Sequence, residues 1–239
     1  SRRKRSINHL RMSFGCKIVT ETGSTNERYT KIVGRLGTVI DVIELSQAMT
    51  AKGIEEGLFE PIDLSKIENS QYLIGAAKTM AEAGQGVAYT INSIGIMYNP
   101  EAVGFEIKSF DDLWDARLEG RIAIPDITTT FGPAMVYMAS DYKGADVTAD
   151  QGAAAFEALK ELKPNIVKTY AKSSDLINMF TSGEIEAAIV GDFGVPTIQA
   201  ADPSLVYVTP DVTYANFNTI SITKNSKIRN WLMSTSITD

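Results

Sequence analysis

The feature that most constrains this chain is the regular return of short β-branched runs with amphipathic segments between them. Val39-Ile40-Asp41-Val42-Ile43, Arg121-Ile122-Ala123-Ile124-Pro125, Ile185-Glu186-Ala187-Ala188-Ile189-Val190 and Leu205-Val206-Tyr207-Val208 are spaced along the chain without a fixed period. Apolar runs of this length read as strands buried on both faces, and helices between them call for a parallel or mixed sheet covered by helices. No repeat and no low-complexity tract interrupts the pattern. The expected fold class is therefore α/β, with mixed, mostly parallel sheets flanked by helices.

Local signals fill in the order. Residues 16–22 alternate as a strand would, and Ser24 three residues before Glu27 forms a capping box that starts a helix from Thr25 to about Arg35. Gly37 breaks it, and the strand 39–43, stopped by Glu44 and Ser46, completes an expected β-α-β unit. A helix through Met49 and Ile54 ends near Gly57. From Gly86 to Tyr98 the pattern is long and extended, which suits one bent strand or a pair. Ser109 caps a helix at Phe110 that Gly120 ends. Pro133 opens a helix over Ala134 to Tyr142, and 150–163 is amphipathic, with Ala155, Leu159 and Leu162 on one face. Ser173 or Ser174 caps a short helix through Phe180, and Thr219-Ile220-Ser221-Ile222-Thr223 is the last strand.

Counting removes several chemistries. A single cysteine, Cys16, and a single histidine, His9, exclude an intrachain disulfide, a multi-cysteine zinc site and a histidine-pair metal site. Cys16 is expected as a buried, inert thiol and His9 as incidental. No Gly-x-Ser-x-Gly elbow and neither glycine-rich phosphate loop occurs, so no cofactor and no catalytic residue is expected. The formal charge is −6. Arg2, Arg3, Lys4, Arg5 and Arg11 contribute +5, leaving 18 basic against 29 acidic residues, or −11, for the rest. An acidic body argues against a nucleic-acid surface. No apolar run reaches the roughly 18 residues of a membrane span, and the basic start lacks the apolar region of an uncleaved secretory signal.

In open α/β sheets, ligands bind outside the carboxyl ends of the strands. The loops there hold Ser24, Thr25, Ser46, Thr128, Thr129, Thr130, Gly132, Gly191 and Asp192. Hydroxyls beside helix N-termini, where backbone N–H groups and the dipole converge, seat a carboxylate, phosphate or phosphonate. Capping uses the same geometry, so both readings stand. Asp41 and Asp192 are candidates to contact a polar ligand or to brace their loops. Asp111 and Asp112 open a helix and favour its dipole.

The stretch Ser109-Phe110-Asp111-Asp112-Leu113-Trp114-Asp115-Ala116-Arg117-Leu118-Glu119-Gly120-Arg121-Ile122-Ala123-Ile124-Pro125-Asp126 resembles the extracytoplasmic solute-binding proteins of ABC importers, in the branch of polyamine, ferric-iron, thiamine and phosphonate binders. Agreement continues in order through Gly23-Ser24, Asp41-Val42, Gly57-Leu58-Phe59-Glu60-Pro61-Ile62-Asp63, Tyr98-Asn99, Ser182-Gly183-Glu184, Val208-Thr209-Pro210 and Asn218-Thr219-Ile220-Ser221-Ile222.

The resemblance implies a two-lobed Venus-flytrap: lobe one from 1–97 with a return over 213–239, and lobe two from 98–212, crossed by Val87 to Asn99 and by Thr209 to Ala215. It implies a non-enzymatic, monomeric receptor outside the cytoplasm, periplasmic or lipid-anchored, that closes over a small-molecule ligand and hands it to permease subunits. Trp114 becomes a packing residue of lobe two. The implied contacts are Ser24 and Thr25 from lobe one, Thr128, Thr129 and Thr130 from lobe two, and Gly191, Asp192 and Tyr214 near the hinge.

Departures from the family pattern bear on the ligand. Where polyamine binders carry acids and tryptophans, this chain has Ile127, Thr130, Val190, Asn216 and Asn218, and it lacks the paired tyrosines of ferric binders. Buried ammonium groups without paired carboxylates would be costly. A small anion or zwitterion is therefore expected, with polyamine as the alternative. The family's first apolar strand has no counterpart in 1–13, and its closing helices none after Ser226. The rival from another class is a transferase or lyase on the same scaffold, as in porphyrin-pathway deaminases, with Cys16 as its reactive group.

Overall fold

The structure, a computed structural model, describes residues 17–34, 40–84 and 86–228. Cys16, His9, the basic start and the Gly37 break lie outside the described residues. The chain divides into two compact units, Ser1–Tyr89 with Asn218–Asp239, and Thr90–Phe217.

The first unit opens with helix α1 (Thr25–Val33), and its start is the expected capping box. The Glu27 amide donates to Ser24 Oγ at 3.2 Å, and the Ser24 amide donates to Glu27 Oε2 at 2.6 Å. Strand β1 (Val42–Ser46) follows. It does not stop at Glu44. Ile43 and Leu45 face a small core with Tyr29 and Phe59, while Glu44 turns outward to Arg28 at 3.7 Å. A charged residue at an outward position of an alternating strand interrupts nothing.

The partner of β1 also corrects the expectation. It pairs antiparallel with β8 (Ala215–Thr223), Val42 opposite Ile222 and Leu45 opposite Thr219. Residues 17–24 form no strand, so the β-α-β unit does not exist among the described residues. Alternation makes a strand only where a neighbouring edge and a core face receive it, and Val19 is 77% exposed. Helix α2 (Gln47–Glu55) ends as expected, and strand β2 (Phe59–Glu60) also pairs with β8. Helix α3 (Gly75–Glu82) was not foreseen from the sequence.

The second unit is built on one sheet. Its first strand, β3 (Val87–Tyr98), is single and long, entering from the first unit. A one-turn helix α4 (Pro100–Val103) follows, and a 3₁₀ turn over Phe110–Trp114 leads to strand β4 (Ile122–Pro125). Then come helices α5 (Ala134–Tyr142) and α6 (Ala153–Leu162), strand β5 (Ile166–Tyr170), helix α7 (Ser173–Thr181), strand β6 (Ala187–Gly191), helix α8 (Val195–Ala201) and strand β7 (Val206–Val208).

Strand β4 lies parallel to both β5 and β6, and β6 runs antiparallel to β3. One face of this sheet buries Ile94, Ile96, Ile124 and Ile189 against Leu113, Phe131, Met135 and Leu162. The other buries Met97, Ala188 and Val190 against Leu176, Met179 and Ile198. Trp114 packs: its ring stacks on Tyr142 at 4.0 Å, and its Nε1 donates to the Ala158 carbonyl at 2.9 Å.

Candidate functional site

Strands β4 and β6 are parallel, so their carboxyl ends open at the same edge of the second unit's sheet, into loops 126–132 and 191–194. Asp126 organises the first loop. Its Oδ1 accepts from the Thr128 amide at 2.9 Å and hydroxyl at 2.6 Å, and its carbonyl accepts from the Thr129 amide at 2.9 Å and hydroxyl at 2.7 Å. The Thr128 hydroxyl first, and then the Thr128 amide, hold the Asp126 carboxyl below the usual carboxylate range. Thr129 Oγ1 in turn accepts from the Gly132 amide at 3.1 Å. The loop folds so tightly that a Cβ on Gly132 would sit 2.3 Å from the Asp126 carbonyl. Two of the three threonine hydroxyls thus brace their own loop, and Thr130 Oγ1 engages nothing among the described residues.

Gly191 brings the two loops together. A Cβ there would lie 2.6 Å from the Phe193 ring and 3.0 Å from that of Phe131. Without it the rings stack, centroids 6.2 Å apart and planes within 12°. Phe131 is buried, while Phe193 is 60% exposed and offers its outer face to anything that enters.

Asp192 turns to the other face, towards Ser93 on β3, whose hydroxyl donates to Oδ2 at 3.4 Å. Its other oxygen, Oδ1, is buried with no partner among the described residues. On that side Tyr207 is pushed up to about 12, by burial first and by the Asp192 charge second. Tyr214 packs on Phe110 at 5.6 Å and donates its hydroxyl to Asp141 Oδ2. Burial, and then that bond, raise the Tyr214 phenol above its ordinary range.

Ser24 and Thr25 belong to the first unit. Ser24 caps α1, and Thr25 Oγ1 accepts from the Ser46 amide at 3.1 Å. The structure therefore joins the 128–130 loop to Gly191, sends Asp192 to Ser93 and Tyr214 to Asp141, and engages Ser24 and Thr25 within their own unit.

Sequence reasoning passed over Thr90 and Asn92, and noted Asn216 only as a departure. Seven side-chain atoms among the described residues are buried without a partner, and four of them are Thr90 Oγ1, Asn92 Nδ2, Asp192 Oδ1 and Asn216 Oδ1, all at this edge of the second unit. Each such atom costs about 1–3 kcal/mol, so four in one region is a concentration a fold does not keep for stability. The signal was present in the alternation of β3. The row Thr90, Asn92, Ile94, Ile96, Tyr98 changes from polar to apolar halfway along one face.

Among the described residues no group of three or more His, Cys, Asp or Glu side chains is placed to hold a metal, and no helix is long and apolar enough to cross a membrane.

The family model for bacterial extracellular solute-binding protein matches residues 11–234. No curated protein matches. Among solved structures, an ABC transporter from Clostridium perfringens ATCC 13124 is 47% identical, with a TM-score of 0.85 over 96% of this chain and 73% of that one. The spermidine/putrescine ABC transporter substrate-binding protein PotD from Streptococcus pneumoniae is 22% identical, with a TM-score of 0.78 over 97% and 72%. The Tp0655 (TpPotD) lipoprotein of Treponema pallidum is 19% identical, with a TM-score of 0.78 over 97% and 74%. The mixed α/β fold, a sheet with flanking helices, is that of periplasmic binding proteins.

Proposed function

We propose a ligand class from the premise that this chain belongs to the bacterial extracellular solute-binding protein family and is the solute-binding protein of an ABC transporter. The ligand is a small zwitterion, held at the carboxyl edge of the second unit's sheet and passed to permease subunits. The protein acts as a monomer outside the cytoplasm, free in a periplasm or lipid-anchored, and carries out no catalysis. Of the expected contacts, Thr130 has a free hydroxyl, Gly191 lies against the rings of Phe131 and Phe193, and Asp192 has an unpartnered oxygen.

One observation carries this reading: the same edge of the sheet holds a single unpartnered carboxylate oxygen, on Asp192 towards one face, and unpartnered amide atoms on Asn92 and Asn216 towards the other. A polyamine needs an acid for each buried ammonium, and a bare anion needs donors. The threonine donors that would have served an anion are engaged by Asp126. The polyamine reading keeps its support from the two PotD structures, at 22% and 19% identity.

Calorimetric titration with amino acids, 2-aminoethylphosphonate, inorganic phosphate and spermidine decides among them. A zwitterion is expected to bind in the micromolar range, about −8 kcal/mol. Tighter binding of spermidine or phosphate overturns the assignment.

A further inference from the structure

Strands β3 and β8 are neighbours in the sheet order, and the Ile94 amide donates to the Tyr214 carbonyl at 3.2 Å. β3 carries the chain out of the first unit and β8 carries it back, so the two run antiparallel. Two residues back on β3 and two forward on β8 are then opposite again, which sets Asn92 across from Asn216 on the face that holds Ile94, Ile96 and Tyr214. Cross-strand neighbours carrying one unpaired donor, Asn92 Nδ2, and one unpaired acceptor, Asn216 Oδ1, are natural partners for each other. They do not bond. Both amides are half-buried, and Thr90 Oγ1, one position further along the same face of β3, is unpartnered too. Phe193, exposed and two residues beyond Gly191, which sits opposite Ile94, supplies a flat apolar surface.

We propose that Asn92 and Asn216 are specificity-determining residues that read a neutral donor–acceptor edge on the ligand, of carboxamide, lactam or urea type, with Phe193 against its plane. The inference rests on the solute-receptor reading and names the substrate class within it. A group of this kind offers an oxygen to Asn92 Nδ2 and an N–H to Asn216 Oδ1 side by side, which neither a carboxylate nor an ammonium does. Thr90 Oγ1 is within the same row to take a third bond. An amide pair left open in the free protein lowers stability in exchange for discrimination, because a ligand lacking either half leaves one amide buried and unbonded.

The test uses the chain with matched pairs: glutamine and glutamate, asparagine and aspartate, pyroglutamate and proline, nicotinamide and nicotinate, with spermidine as the outside probe. Unfolding temperature and calorimetry are read for the parent and for Asn92→Leu and Asn216→Leu. The carboxamide or lactam member of at least one pair is expected to bind at least tenfold more tightly than its partner. Each variant is expected to weaken that binding tenfold or more while its own unfolding temperature, without ligand, rises by a few degrees. A lower unfolding temperature in both variants overturns the proposal by showing the amides to be structural. Preference for the acid members, or no response to any pair, overturns it too. Spermidine binding that both variants retain sinks this assignment but leaves a receptor standing. Failure of every probe, including those of the earlier titration, removes both.

Discussion

At the amino-terminal end of β4, no side-chain atom among the described residues is buried without a partner. Arg121 grips both oxygens of Glu186 at 2.6 Å, its carbonyl accepts from the Glu186 and Ala187 amides, and its amide donates to the Asn165 and Leu118 carbonyls. Asn165, only 5% exposed, gives its side-chain amide to the Leu113 and Asp115 carbonyls at 2.8 and 3.0 Å. At the other end of the same sheet, about 15 Å away along strands of this length, Asn92 and Asn216 are also amides, and each has an atom without a partner. The same side chain closes a structure at one end and is left open at the other. Since a buried, unbonded amide destabilises a fold, the contrast marks the open end as kept for something other than stability.

The sharpest way to break this contrast is at the tightest backbone approach on the open side. In Gly132→Ala the new methyl meets the Asp126 carbonyl at 2.3 Å and Ile127 Cα at 2.4 Å, both backbone atoms, so the loop backbone itself must shift. A loss of about 3 kcal/mol is expected, which for a chain of this size lowers the unfolding temperature by about 6–12 °C. A loss under about 1 kcal/mol in thermal denaturation would mean that the open end is loosely held, and the contrast would then be one of order rather than of purpose.

Next in size is the sign test on the amides. Asn165→Leu strips the Leu113 and Asp115 carbonyls of their donor, and a cost of about 2 kcal/mol is expected in urea unfolding. The same change at Asn216 is expected to have the opposite sign. If both destabilise, the two ends follow one rule and the comparison fails.

The smallest effect is electrostatic and is lost in acid. Arg117, by side-chain hydrogen bond first and backbone hydrogen bond second, lowers the Asp115 carboxyl to about 2. A carboxyl depressed on folding stabilises the protein above its unfolded value, near pH 4, and that contribution fades as pH falls towards 2. The pair lies at the surface, so Asp115→Asn should lower stability only slightly at pH 7, and the difference from the parent should disappear as pH falls from 4 towards 2. A difference from the parent that persists at pH 2 would show that the backbone role of Asp115, as acceptor for Asn165, had been disturbed instead.

Much of this molecule was legible beforehand, and the limits fall where physics puts them. The runs at 122–125 and 187–191 read as strands because they are buried on both faces, so their residue types alone carry the signal. Glu44 misled because one outward charge resembles a stop when the partner strand is unknown. Helix α3 passed unseen since Ile74 before it provides no side-chain cap and its stretch is rich in small residues. For the candidate site, Gly191 and the threonine loop were found by their place after strands, whereas Thr90 and Asn92 sit inside a strand, where polar residues pass as an exposed face.

The sequence by itself determined the order of elements, the family resemblance and the local caps, because a capping box such as Ser24 with Glu27 is complete within four residues. Only the tertiary structure decided which polar atoms remain available. Thr25 is engaged by Ser46, Thr50 meets Thr219 at 2.6 Å, and β1 finds an antiparallel partner in a strand that begins at Ala215. Whether a hydroxyl or an amide is free depends on what the distant chain brings to within about 3 Å of it, and no local pattern encodes that.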